Sequence, residues 1–321
     1  MPRATRPARA VFFLATAIAI VVLAPGRPAI GQQAEDPWLA QPVDDATFRS
    51  YLEFFAYDAD LPLDVQVTEA EVADGIRRER LSFQSTPGLR VTAILVRSEN
   101  APDRGQPAVI LTHGGGPQGK DGAGTQLYAA LLARAGWAVL AIDLWHYGER
   151  DDGLLGTFSQ EERNERLYSN HSNYLEFIIQ SVKDVGRAID FLVAERQVDA
   201  DRIVYVGNSR GAVTGTVVGG AEKRLAGVAL IFPGHRLSWV SSHAAAACPA
   251  NYIGRISPRP LLMINGTQDT FFPMESTVLP LQRLAGEPHD FRWFDLPHGS
   301  MGTEEVQAAL MSWLAETFPR R

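Results

Sequence analysis

Cysteine is nearly absent from this chain. The 321 residues include a single cysteine, Cys248, so no disulfide can form within the chain and its stability must come from packing. The sequence also lacks a phosphate-binding G-x-x-x-x-G-K-[ST] motif, and no His, Cys, Asp and Glu residues have the spacing of a metal site. We therefore expect no metal and no cofactor.

A long hydrophobic run is also missing. The most apolar stretch, residues 10–24, is shorter than the ~20 residues that a membrane-spanning helix needs. Arginines precede it and the helix-breaking Pro25 and Gly26 follow it, which is the order found in a secretory signal. We expect residues 1–31 to be a cleaved signal peptide and the mature protein to be exported, periplasmic or secreted, without stable membrane insertion. The less favoured alternative is an uncleaved anchor, for which the apolar run is short.

The chain has no excess of basic charge. Its formal net charge is −7, and removal of residues 1–31 takes away four arginines and no acidic residue, so −7 becomes −11. An acidic domain of this kind has no electrostatic surface for nucleic acid, and we expect no nucleic-acid partner. Nothing in the sequence indicates an oligomeric state.

Residues 32–321 have the pattern of one α/β domain. A helical N-terminal extension is predicted at residues 44–57, followed by two edge strands and then by buried strands that alternate with helices. The helix predicted at residues 174–196 has a marked apolar stripe, formed by Ile178, Val182, Val185, Ile189 and Leu192. This alternation predicts a mostly parallel sheet with helices on both faces, with functional groups at the carboxyl ends of its strands.

Residues 201–215 have the sequence of a nucleophile elbow. An apolar strand at residues 203–206 runs into Gly207-Asn208-Ser209-Arg210-Gly211, and a segment of small residues follows. This strand–turn–helix context is the one in which G-x-S-x-G presents a serine nucleophile. Alone, the pentapeptide could equally be a glycine-rich loop.

Three further strand ends carry suitable groups. The strand at 108–111 ends in His113 and three glycines, the strand at 261–264 leads to Asp269, and the strand at 291–294 leads to His298. Ser, Asp and His follow one another in the order typical of α/β-hydrolases. The coincidence of four signals favours a catalytic site over a chance motif.

With these motifs the chain resembles the α/β-hydrolase superfamily, and within it bacterial ester hydrolases of the dienelactone hydrolase and acetyl xylan esterase type. The resemblance spans residues 54–318 and is carried by the motifs at 113–116, 207–211, 266–269 and 297–299. It implies an α/β-hydrolase fold, a small-molecule ester substrate and catalysis by a serine esterase.

The implied roles follow the chemistry of each group. Ser209 would attack the ester, His298 would take and return its proton, and Asp269 would orient the imidazole. The backbone N–H groups of Arg210 and Gly115 would form the oxyanion hole.

Other residues could take two of these roles. Asp143 and Asp295 also lie at strand ends, but Asp143 precedes the elbow and Asp295 is too close to His298 in the chain. His113 is better placed to fix the glycine loop than to titrate in catalysis. The remaining histidines lie in the two predicted insertions, 144–172 and 233–257, or before the last strand.

The function predicted from the sequence is that of an exported serine hydrolase for short-acyl carboxylic esters. The alternatives are a serine peptidase of the prolyl oligopeptidase type and a non-catalytic binding protein with a hydrolase fold. The insertions lack the amphipathic stripe of a lipase lid. Aromatic residues are expected to line a compact pocket instead: Trp239, Tyr252, Phe271 and Phe272.

Overall fold

Within residues 42–155, 159–235 and 244–319, which the computed structural model describes, nine strands form one mixed sheet. The strands are β1 (Gln66–Ala73), β2 (Ile76–Thr86), β3 (Leu89–Ser98), β4 (Ala108–Thr112), β5 (Ala138–Ile142), β6 (Ile203–Asn208), β7 (Gly227–Ile231), β8 (Leu261–Gly266) and β9 (His289–Phe294). Their order across the sheet is β1-β2-β3-β5-β4-β6-β7-β8-β9. The first three strands pair antiparallel, as do β3 and β5, and all pairs from β5 to β9 are parallel. The predicted mostly parallel sheet is confirmed.

Seven α-helices lie in the same described ranges. They are α1 (Asp45–Leu52), α2 (Ala123–Arg134), α3 (Gln160–Arg163), α4 (His171–Arg196), α5 (Arg210–Ala221), α6 (Leu279–Leu284) and α7 (Glu304–Thr317). The predicted signal peptide, residues 1–31, lies outside the described residues.

The central strands are buried because helices cover both of their faces. Successive side chains of a strand point to opposite faces: Ile110 of β4 packs in the core on the side of α4 and α5, and Val109 and Leu111 pack in the core on the side of α2 and α7. All residues of β4, β5, β6, β7 and β8 are buried. Continuous apolar runs are typical of such doubly covered strands.

Helix α4 follows the predicted pattern. Its stripe residues Ile178, Val182, Val185, Ile189 and Leu192 are all buried. The helix begins at His171, earlier than predicted, because the side chain of Asn170 caps it by accepting a hydrogen bond from the N–H of Asn173.

Strand β1 and the helix α3 were not predicted. All eight residues of β1 are exposed, so this edge strand lacks the apolar alternation that marks a half-buried strand. The predicted irregular insertion at 144–172 contains α3 and a π-helical turn, Asn164–Tyr168.

Candidate active site

A sharp turn between β6 and α5 carries Ser209. Its φ is 48°, a left-handed conformation that is uncommon for a residue other than glycine. A Cβ on Gly207 would lie 2.4 Å from the carbonyl oxygen of Gly211, and one on Gly211 would lie 2.4 Å from Oγ1 of Thr112. The two glycines are thus required by the close approach of β4, β6 and α5. The N–H of Ser209 donates to the carbonyl of Ile231 at 2.8 Å, which fixes the turn.

Ser209, His298 and Asp269 form one hydrogen-bonded chain. Oγ of Ser209 lies 2.9 Å from Nε2 of His298, and Nδ1 of His298 lies 2.7 Å from Oδ2 of Asp269. A carboxylate only accepts hydrogen bonds, so Nδ1 carries the proton and Nε2 is the acceptor for the serine hydroxyl. This is the arrangement in which an imidazole can act as a general base toward serine.

A tight turn after β8 orients Asp269. Its Oδ1 accepts hydrogen bonds from the backbone N–H groups of Phe271 and Phe272, both at 2.8 Å. The residue is only 5% exposed. The two backbone N–H groups fix the orientation of the carboxylate through Oδ1, and in this orientation Oδ2 faces His298.

The two alternative acids are engaged elsewhere. Asp295 accepts hydrogen bonds from Oγ1 of Thr267 and Nε2 of Gln268, both at 2.9 Å. Asp143 is fully buried and pairs with Nζ of Lys120 at 2.7 Å. The geometry places Asp269, and neither of these two, against the ring of His298.

The glycine loop after β4 is held by His113. Nδ1 of His113 donates to the carbonyl oxygen of Gly114 at 2.6 Å, and Nε2 accepts from the N–H of Leu144 at 3.0 Å. The C=O and N–H of one trans peptide point in opposite directions, so the N–H of Gly115 is directed away from His113. Burial, the largest influence, lowers the pKa of His113 below its ordinary value, and the neutral ring is the form that can accept from Leu144.

Arg210 begins α5 directly after Ser209. The N–H groups in the first turn of a helix point beyond its N-terminal end and favour a negative charge there. The backbone N–H of Arg210 can therefore contribute to an oxyanion site together with the N–H of Gly115. Its guanidinium lies 3.7 Å from the ring centroid of Tyr168, and the residue is 4% exposed. The stacked pair forms one wall beside Ser209.

A buried ionic cluster supports this edge of the sheet, and sequence reasoning missed it. Nζ of Lys120 lies 2.7 Å from Oδ2 of Asp143 and 2.6 Å from Oε1 of Glu149, and the N–H of Lys120 donates to Oδ1 of Asp143 at 2.7 Å. Burial opposes the charge of Lys120, but these carboxylates outweigh it and raise the pKa of Lys120. The cluster joins the segment after the glycine loop to the segment after β5.

The cleft over Ser209 has a volume of about 220 Å³. It is lined by Gly115, Tyr168, Ser209, Arg210, Phe271, Phe272 and His298. Two larger surface hollows, of about 690 and 700 Å³, contain none of these residues and lie away from the serine. Four of the five predicted site residues line the small cleft: Gly115, Ser209, Arg210 and His298. The fifth, Asp269, is hydrogen-bonded to His298.

The prediction that Tyr252 lines the pocket is wrong. Its ring packs edge-on against Phe48 and Phe55, with centroids 5.3 and 6.0 Å apart, and it is fully buried. Residues 244–256 fold as short 3₁₀ turns whose buried side chains join the core. Trp239 lies outside the described residues.

No group of three or more His, Cys, Asp and Glu side chains in the part of the chain that the structure describes is placed to hold a metal ion. No helix in the described ranges has both the length and the apolar character to cross a membrane.

Comparisons with known proteins relate this chain to hydrolases. No family model matches it. The acylamino-acid-releasing enzymes of Sus scrofa and Mus musculus are 31% identical to it over 126 and 121 residues, which is 39% and 37% of this chain. The chain spans only 15% and 14% of the length of these two relatives.

Solved structures match over most of the chain. An acetyl xylan esterase from Paenibacillus sp. R4 has a TM-score of 0.65 at 19% identity, covering 88% of this chain and 95% of its own. Acetyl xylan esterase 1 from Thermoanaerobacterium sp. JW/SL YS485 has a TM-score of 0.64 at 16% identity, covering 86% and 95%. The α/β-hydrolase GrgF from Penicillium sp. sh18 has a TM-score of 0.57 at 15% identity, covering 75% and 97%. Likeness at this level of identity establishes the fold, and this chain has the α/β-hydrolase fold.

Proposed function

We propose that this protein is a serine hydrolase that cleaves carboxylic esters through an acyl-enzyme. The observation that carries the proposal is the hydrogen-bonded chain from Ser209 through His298 to Asp269, which opens on a cleft at the carboxyl edge of the sheet. The similarity to the two acetyl xylan esterases supports the same reaction.

The first half-reaction forms an ester on the serine. Oγ of Ser209 attacks the substrate carbonyl while its proton moves to Nε2 of His298. The carbonyl oxygen becomes an oxyanion, for which the N–H groups of Gly115 and Arg210 are the proposed donors. The tetrahedral intermediate then expels the alcohol, which takes the proton from His298, and the acyl group remains on Ser209.

The second half-reaction releases the acid. Water enters the place of the alcohol and gives its proton to His298 as it attacks the acyl-enzyme. Collapse of the second tetrahedral intermediate returns the proton to Oγ of Ser209 and frees the carboxylic acid. Asp269 keeps the same tautomer of the imidazole in both halves and balances the charge of the imidazolium.

The cleft favours small acyl groups. At about 220 Å³ it is below the range of about 300–1,000 Å³ that is usual for drug-sized ligands. Phe271 and Phe272 contribute apolar surface to its lining, to which Tyr168 and Arg210 also belong. An acetyl to butyryl group would occupy this space.

The proposed function includes export. The basic, apolar and small-residue order of residues 1–31 motivates it. Mass spectrometry of the protein from its own host should find an N-terminus near Gln32, and a mature chain that keeps residues 11–24 would overturn this part.

A second candidate is a peptidase acting on N-acylated peptides. It is favoured by the 31% identity to acylamino-acid-releasing enzymes over 126 residues, and it would use the same serine and base. The two candidates differ in the bond cleaved, so the purified domain should be given p-nitrophenyl acetate and N-acetyl-alanine p-nitroanilide in parallel.

Covalent labelling tests the shared mechanism. A fluorophosphonate probe should label Ser209, and Ser209→Ala should remove both the label and the turnover of p-nitrophenyl acetate. A non-catalytic binding protein would not label. Efficient cleavage of the anilide with little ester turnover would favour the peptidase.

A further inference from the structure

Three phenylalanine rings surround the imidazole of His298. The ring centroids of Phe271, Phe272 and Phe232 lie 4.7, 5.3 and 5.7 Å from that of His298. Phe271 is stacked on the imidazole at an angle of 26°, whereas Phe272 and Phe232 meet it nearly edge to face at 72° and 66°. We refer to Phe232, Phe271 and Phe272 as the aromatic cage.

One turn supplies both the carboxylate and two of the rings. Oδ1 of Asp269 accepts from the N–H groups of Phe271 and Phe272, and Oδ2 of Asp269 accepts from Nδ1 of His298. The hydrogen bonds that aim the carboxylate therefore also place two rings against the base that it orients. The positions of carboxylate, rings and imidazole are coupled.

The third ring is held by a strained backbone. Phe232 follows β7 with a φ of 53°, and a left-handed conformation is a genuine outlier for a bulky side chain. The residue is buried, and its N–H donates to the carbonyl of Ile264 at 2.7 Å. Strain of this kind persists only where the surroundings hold it, and it concentrates at functional sites. Ser209 also has a positive φ, and its N–H donates to the carbonyl of Ile231, the residue before Phe232.

The stacked ring has an electrostatic consequence. When Ser209 gives its proton to Nε2, His298 becomes an imidazolium. A cation within about 6 Å of a ring centroid, over the face of the ring, is attracted by the negative charge of the π-system. Phe271 presents its face to the imidazole at 4.7 Å. The attraction begins when the imidazolium forms, which happens as the transition state is approached.

We propose that Phe271 is a positioning residue that stabilises the imidazolium form of His298 by a cation–π contact, within an aromatic cage completed by Phe232 and Phe272. The inference rests on the proposed function, because an imidazolium forms only if His298 acts as the base. Phe271 also lines the cleft. The alternative is that Phe271 only shapes the space for the acyl group and does not act on His298.

The two roles predict different kinetic effects. A residue that only shapes the space acts on substrate binding, so its loss changes KM and does so differently for acetyl and butyryl esters. Stabilisation of the imidazolium acts on the transition state alone, so its loss lowers kcat by one factor for both esters and leaves KM unchanged.

The decisive experiment replaces Phe271 by phenylalanines with one, two and three ring fluorines. These keep the shape of the side chain while they withdraw charge from the face of the ring. We expect kcat to fall stepwise with each fluorine, and Phe271→Leu to lower kcat by about 3- to 30-fold. A small alkylboronic acid, whose adduct with Ser209 leaves the proton on His298, should lose affinity in the same order.

A matched control exists in the same chain. Phe291 is stacked on His289, with centroids 4.2 Å apart at an angle of 11°, and neither residue lines the cleft. The same fluorinated residues at Phe291 should leave kcat unchanged. A flat series at Phe271, or a series confined to KM, would overturn the cation–π role. If Ser209→Ala keeps its turnover, the proposed function itself fails, whatever the result at Phe271.

Discussion

Nδ1 of His113 donates a hydrogen bond to the carbonyl oxygen of Gly114, 2.6 Å away, and thereby sets the direction of the next N–H in the chain. That N–H belongs to Gly115, the proposed second donor to the oxyanion. Loss of an oxyanion donor costs about 10²–10³ in kcat. The Gly115 N–H depends on His113 for its direction, although His113 does not line the cleft.

We therefore predict that His113→Leu lowers kcat for p-nitrophenyl acetate by about 10- to 100-fold, because a misdirected donor is weakened and not removed. KM should change little, since the oxyanion exists only in the transition state. The matched control is His113→Asn, whose side-chain amide can still donate to the Gly114 carbonyl and should recover part of the rate. Equal kcat in His113→Leu and the wild type would exclude this role.

Two buried histidines predict a loss of stability in acid. Burial lowers the pKa of His113 and that of His146 below the ordinary value of 6.5. Below pH 6.5 the unfolded chain therefore binds protons that the folded chain excludes, and the free energy of unfolding falls as the pH falls. Each such histidine contributes up to about 1.4 kcal/mol per pH unit until its folded form is protonated.

Urea unfolding at pH 7.5 and pH 5.5 measures this effect. The difference in unfolding free energy between the two pH values should be smaller in His113→Asn than in the wild type, because one of the two histidines no longer titrates. An unchanged difference would show that His113 is protonated equally in the folded and unfolded chains.

The ionic cluster around Lys120 predicts a large stability effect from one substitution. The side chains of Lys120 and Asp143 are both fully buried. Lys120→Met leaves the Asp143 carboxylate without its cation, and breaking a buried pair in this way costs about 3–5 kcal/mol. The free energy of unfolding in urea should fall by that amount.

Arg80 provides the control for this prediction. It contacts Asp121 and Glu149 at the outer end of the same cluster, where its side chain is 29% exposed. Arg80→Met should cost about 1 kcal/mol or less, as exposed pairs do. Equal losses in the two variants would contradict the distinction drawn between the buried and exposed ends.

The sequence predicted the groups that lie at strand ends, because those positions follow from buried apolar strands and the order of the residues after them. Ser209, Asp269 and His298 were each found in this way, and the structure brings them together at one edge of the sheet. Their catalytic roles stay predictions that the labelling experiment addresses.

Features fixed by tertiary contacts between loops could not be predicted. Lys120 stands in a glycine-rich loop whose sequence resembles an exposed segment, and only the fold brings Asp143 and Glu149 to it. Tyr168 reaches the cleft from the insertion at 144–172. The sequence predicts that Tyr252 lines the pocket because it is an aromatic residue in an insertion next to the site, whereas 3₁₀ turns fold it into the core.

The size of the cleft predicts the preferred acyl chain. A longer chain gains about 0.8 kcal/mol for each methylene that it buries, but only if an apolar groove receives it. The cleft of about 220 Å³ offers two phenylalanine rings, and the described residues that line it form no extended apolar surface. Beyond about four carbons, added methylenes should therefore remain in water and gain nothing.

We expect kcat/KM to be highest for acetyl to butyryl p-nitrophenyl esters and to decline toward decanoyl and longer ones. The measurement is the ratio of kcat/KM across a series from two to sixteen carbons, with Ser209→Ala run in parallel so that spontaneous hydrolysis of each ester is subtracted. The ratio compares esters with one leaving group, so a change in it reports the fit of the acyl chain. An efficiency that rises toward the long chains would require an apolar groove next to Phe271 and Phe272, and it would replace the short-acyl esterase with a lipase-like enzyme.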